Sequence, residues 1–231
     1  VPPATDPGSR LARADLAASI GGCLLVAIAL VIIWTARLSI PRELYVSELG
    51  AEGMPTEHWF QAALVLVVVG GAAIAWAGRG VRSRARVLSA WSPAVSLWVA
   101  CGLFLFASQV TCTAGCPLPY GDTFNLQDFL HTLAAVLAFA AACWAMLQSA
   151  FARDHRALSV FSATTGILVA VIAGTGGLFS LFRFQQEFGS RLEFVATTLA
   201  IGWLVVFGAV LAARLLRRQP SGAHELQQAV G

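Results

Sequence analysis

Runs of mostly apolar residues, each of about twenty or more, recur along the chain at 17–36, 59–78, 91–110, 131–151, 158–182 and 193–213. A helix rising about 1.5 Å per residue crosses a hydrocarbon core of about 30 Å in that length. None of the runs alternates with period two over the length of a barrel strand. A backbone in lipid must satisfy its own hydrogen bonds, so the runs predict helices. Short connections on one side predict antiparallel neighbours. The expected architecture is an all-α polytopic membrane protein, six transmembrane helices in an antiparallel bundle over residues 16–218. The opening VPPATDPGSR is proline-rich and polar and predicts a disordered tail over 1–15, and 219–231 reads as a flexible tail. The first run is longer than a signal-peptide core, and Trp34 disturbs the small-residue cleavage pattern, so it reads as a retained helix.

Composition supports this solvent. The chain is 58% hydrophobic and 12% charged, whereas soluble domains carry about 25% charge. All fifteen basic residues are arginine. They gather in short groups between the apolar runs, not on one basic face, so nucleic acid is not an expected partner. Eleven of the fifteen (10, 13, 79, 82, 84, 86, 153, 156, 214, 217 and 218) fall on one side of the helix map, and eight of the twelve acids on the other. By the positive-inside rule both termini are expected to be cytoplasmic, and the long loops 37–58 and 111–130 non-cytoplasmic, in a bacterial inner membrane. Trp34 and Trp59 would mark one interface and Trp76 and Trp91 the other, with Trp98, Trp144 and Trp203 packing deeper.

The interior of the apolar runs contains no obvious Asp, Glu, Lys, Arg or His, which argues against a pump, a proton-coupled transporter or a voltage-gated channel. Ionisable residues collect at the non-cytoplasmic rim, and any chemistry is expected there. Cys112 and Cys116 stand in a C-x3-C pattern around Gly115. A compartment that permits disulfides and a glycine turn that brings the two backbones together favour a Cys112–Cys116 disulfide. Two free thiols are the next reading, and a structural zinc site on Cys112 and Cys116 a third. It needs two more ligands, with His131, Asp128, His58 and Glu57 as candidates. Cys23, Cys101 and Cys143 read as small packing residues.

Asp128 and His131 are three apart at the start of the fourth run and share a helical face. They read as an acid/base pair facing a pocket, or as a helix cap and a first-turn residue. Glu57 and His58 open the second run after Thr56, a candidate cap. Ser47, in YVSELGAEG, lacks the sequence context of a nucleophile. Arg183, Glu187, Arg191 and Glu193 flank the last rim turn as ion pairs or lipid-phosphate contacts. The fifth run is rich in small residues, among them Gly166, Gly174, Gly176 and Gly177. Close helix packing is the plain reading, and a lipid groove or a docking face for a partner the sharper ones.

SELG after the first run, CTAGCP after the third, LHTLAA opening the fourth and RLEFVATTLAIGW leading into the sixth together resemble the bacterial domain of unknown function 998 family. The resemblance covers about residues 17–218. It implies six helices and an integral membrane location, and no activity. The family often carries an acid directly after the first cysteine. Thr113 stands there in this chain, with Asp122 and Asp128 as nearby acids. The expected function is non-enzymatic binding of membrane lipid or a membrane-protein partner at the outer face, with no cofactor. A membrane-embedded hydrolase or transferase using Glu57, His58, Asp128 and His131 is the runner-up, and an accessory subunit of a membrane complex the third reading.

Overall fold

The computed structural model describes residues 7–117, 121–152 and 156–218. Among them are six α-helices: α1 (Pro7–Leu38), α2 (Glu57–Ala77), α3 (Pro93–Gln109), α4 (Leu126–Ala150), α5 (Arg156–Leu181) and α6 (Gln186–Arg218). Every helix except α3 is long and apolar enough to cross a membrane. With its all-helical architecture, the chain is an integral, multi-pass membrane protein. α3 has 17 residues, about 25 Å. It begins at Pro93, whose missing donor is harmless in a first turn, and Ser92 before it is held extended by the proline ring.

Two helices outrun their apolar segments. α1 starts at Pro7, so 7–15, expected within a disordered tail, is helical. Nothing between Pro7 and the apolar run breaks a helix, and Asp15 is tied to Arg79, beyond the end of α2, by paired bonds of 2.7 and 2.9 Å. α6 starts at Gln186, seven residues before the expected run, because the polar turn QEFGSR is itself helical. Residues 1–6 and 219–231 lie outside the described residues.

Successive helices pack side by side, and α6 returns to α1, closing a ring. Neighbours around the ring run in opposite directions, and α2 also touches α6, which runs the same way. Ser19 near the start of α1 donates to Gly208 O near the end of α6 at 2.8 Å, while Trp34 near the end of α1 donates to Thr198 near the start of α6 at 3.0 Å. Ser96, early in α3, donates to Gln148, late in α4, at 2.7 Å. Gln148 is fully buried, and its amide nitrogen is spent on the carbonyls of Leu88 and Trp91. Trp203 of α6 donates to Ser162 of α5 at 2.9 Å. Such bonds between membrane helices contribute on average about 0.6 kcal/mol each.

Shape carries the rest. On α1 the residues Ser19, Gly22, Val26, Ala29, Ile33 and Ala36 are buried at three- and four-residue steps, while Leu24, Ile28 and Val31 between them are exposed. A Cβ on Gly22 would stand 2.7 Å from Gly70 O, and one on Gly70 equally close to Gly22 O, so glycine at both positions lets α1 and α2 meet backbone to backbone. α5 is divided. Gly176 meets the backbone of α6 at Gly189, and Gly166 lies against Met146 of α4, but Gly174 and Gly177 face open space. Of the tryptophans expected to pack deeply, Trp203 is buried, whereas Trp98 is half exposed on α3 and faces outward with the neighbouring apolar surface.

Candidate functional site

The loop segments of one end, 39–56, 110–117 and 121–125, form a joined cap. Glu52 N donates to Cys112 O at 3.0 Å, and Gln127 reaches both Glu52 and Thr111 O, at 2.7 and 2.8 Å. Leu44, Val46 and Leu49 are buried beneath it. Cys112 and Cys116 form a disulfide with Cα atoms 5.0 Å apart. Gly115, at φ 81°, supplies the left-handed step that turns the chain between them.

The residues expected at a rim site are used differently from one another. Asp128 is fully buried and accepts from Thr113 N at 2.7 Å and from the Thr113 hydroxyl at 2.8 Å. It does not cap α4; Asn125 does, accepting from Gln127 N at 2.8 Å. His131, also buried, places Nδ1 3.0 Å from Ala107 O and 2.7 Å from Val110 O. Both partners only accept, so Nδ1 carries a proton. Glu57 accepts from Gly53 N at 2.9 Å. Thr56 stands at the cap position of α2, yet its hydroxyl donates backward to Leu49 O. His58 is exposed. Glu57 and His58 therefore do not join Asp128 and His131 around one cavity. A ring nitrogen of His131 and the sulfurs of Cys112 and Cys116 lie within 4.8 Å of one another. With the two sulfurs bonded to each other, neither is a thiolate ligand.

The charged residues at the last rim turn also divide. Arg191 pairs with Glu43 at 3.0 Å, and Glu43 is shared with Arg37. Desolvation works against the charged Glu43 carboxyl, but the two guanidiniums outweigh it and hold its pKa below the ordinary 4.5. Arg183, in a left-handed turn at φ 52°, shares an open depression with Glu187, Glu43 and Glu48. Glu193 turns inward instead. One of its oxygens accepts from Val46 N at 2.9 Å, and the other has no partner among the described residues.

Glu193 and His131 line one cavity, together with Ser47 and Thr197. The cavity runs into the bundle between α2, α3, α4 and α6, where Leu97, Phe104, Phe139 and Trp203 make its walls apolar. Its volume is about 110 Å³, below the roughly 150 Å³ that admits benzene elsewhere. Glu193 and Thr197 are one helical turn apart on α6. The Thr197 hydroxyl is buried without a hydrogen-bond partner, although a helical threonine ordinarily bonds the carbonyl one turn back. The head of the cavity therefore offers an acceptor on Glu193, a hydroxyl on Thr197 and an imidazole edge, all facing an apolar shaft. Of these three, His131 stands out in the sequence as a candidate. Glu193 stands out only as a rim residue for an ion pair or a lipid headgroup, and nothing in the sequence singles out Thr197.

A family model described as a protein of unknown function (DUF998) matches residues 19–210. No curated protein and no solved structure matches the chain.

Proposed function

The chain belongs to the DUF998 family, whose function is unknown, and from that premise we propose that it is a membrane-embedded binding protein for a single-chain amphiphile. Only the first carbons of the apolar chain fit the shaft between α2, α3, α4 and α6, whose volume is about 110 Å³. The polar head, bearing hydrogen-bond donors, meets Glu193, Thr197 and His131. The observation that carries this reading is the pair of unused polar atoms, one on Glu193 and one on Thr197, aimed into one narrow apolar cavity. Leaving the buried Thr197 hydroxyl unmet costs about 1–3 kcal/mol, and a bound head removes that cost. The narrowness favours one slender chain over a two-chain lipid. Arginine placement supports six spans with cytoplasmic termini and puts the disulfide cap on the non-cytoplasmic side of a bacterial inner membrane, where disulfides persist.

Native mass spectrometry of the protein from mild detergent tests the proposal. Wild type is expected to carry a single-chain adduct. The nearly isosteric double variant Glu193→Gln/Thr197→Val should lose about tenfold or more of that retention, about the worth of one bond to a charged group, and Ala100→Phe should exclude it by filling the shaft. Equal adducts in all three proteins would refute the reading. A hydrolase or transferase acting on lipid or envelope substrates is the second reading, favoured by Ser47 lining the same cavity as Glu193 and His131. Turnover of a lipid ester that is lost in Ser47→Ala while adduct binding persists would select it.

A further inference from the structure

At the opposite end of the bundle, a wide groove of about 1230 Å³ opens between α4 and α5. It shares no lining residue with the cavity under the cap and is independent of that cavity's ligand. Its walls are apolar, from Trp144 and Leu147 on α4 to Ile167 and Ala170 on α5, and Arg84 and Arg156 stand in its lining. Arg84 is held in place by its backbone. Arg84 N donates to Phe151 O at 2.8 Å, and Ser83 bridges to Ala152. Arg156 opens α5, where the helix dipole adds partial positive charge. Among the described residues neither guanidinium pairs with a carboxylate, and both are exposed. Trp144 lies six residues, about 9 Å, inward from the last residue of α4, Ala150. Its indole N–H is buried with no partner.

We infer that this groove is a site for an anionic phospholipid. The phosphate sits between Arg84 and Arg156, an ester carbonyl of the lipid accepts from the Trp144 indole, and one acyl chain runs on along Ala140 and Ile167. The order of groups down the groove, paired cations, then a lone donor, then apolar surface, is the order of phosphate, ester and chain in a glycerophospholipid. A guanidinium pair binds phosphate oxygens directionally. An unmet buried N–H costs about 1–3 kcal/mol, which an ester oxygen offsets. Charge complementarity selects an anionic headgroup over a zwitterionic one.

The test uses the full chain in nanodiscs of phosphatidylcholine doped with phosphatidylglycerol, with lipids retained through detergent exchange counted by native mass spectrometry. Wild type is expected to retain phosphatidylglycerol about tenfold over phosphatidylcholine, and Arg84→Gln/Arg156→Gln to lose that preference. Arg82→Gln/Arg86→Gln removes the same charge from the same connection outside the groove and should keep it. Ile167→Trp leaves both arginines in place, fills the acyl channel and should displace the lipid. Trp144→Phe should weaken retention without changing the headgroup preference. Equal retention in wild type and Arg84→Gln/Arg156→Gln would overturn the inference. So would loss in the Arg82/Arg86 control, which would make the effect diffuse electrostatics, or competition by inorganic phosphate alone at the same concentration, which would remove the lipid from the site.

Discussion

Asp128 accepts two hydrogen bonds from one residue, Thr113, through the backbone N–H and the hydroxyl. The two are 15 positions apart, so the bonds close the disulfide loop onto the first turn of α4. A candidate catalytic acid thereby also acts as a clamp, and Thr113, directly after the first cysteine, is what it holds. Asp128→Ala should leave the Thr113 N–H unmet and lower stability by about 1–3 kcal/mol, read by thermal unfolding in detergent. Asp128→Asn keeps an acceptor and should recover part of the loss.

The disulfide spans a sequence separation of four, and a loop that short contributes about 2 kcal/mol in the chain-entropy account. Alkylation of the denatured, unreduced protein should modify Cys23, Cys101 and Cys143, and after reduction all five cysteines. Five modified cysteines without reduction would mean that no staple exists. Cys112→Ser should lower the unfolding midpoint without dispersing the helical circular dichroism signal.

Where α1 crosses α2, a methyl group at either glycine meets a carbonyl. Gly70→Ala should cost about 1–3 kcal/mol, as overpacking does, measured by unfolding in sodium dodecyl sulfate. Gly174→Ala, with open space around it, should be nearly neutral. Equal effects at the two positions would contradict the packing described.

Glu43 gives an acid dependence with a defined sign. Desolvation would raise its folded pKa, but Arg37 and Arg191 outweigh it and hold the value below the ordinary 4.5. Its contribution to stability is therefore fully present above 4.5 and is lost as pH falls through the lowered folded value. Glu43→Gln should flatten the stability profile below pH 4.5 while changing little in its slope above it.

Helix number and order were legible because lipid demands long apolar runs, and those runs stand out against 12% charge. The ends of α1 and α6 were not, because a polar turn beyond the hydrocarbon continues a helix without any apolar signal. That same extension hid the cavity head. Glu193 reads as a rim charge when α6 is started at its apolar run, but seven residues inside the helix it points to the interior. The disulfide was legible from C-x3-C with a glycine just before the second cysteine, a local pattern. The Asp128–Thr113 clamp and the Glu193–Val46 contact join residues 15 and 147 positions apart, and nothing local announces either.

The α1–α6 seam joins residues as much as 189 positions apart. A chain inserted in order from its N-terminus places α1 in lipid long before its second neighbour exists. Until α6 arrives, the Ser19 hydroxyl and the Cys23 thiol, which bond Gly208 O and Val205 O across that seam, lack those acceptors. Closure of the bundle is then the last event of assembly. A chain stalled after α5 would expose the Ser19 hydroxyl and the Cys23 thiol of α1 to lipid, a mark that tells an unfinished copy from a finished one.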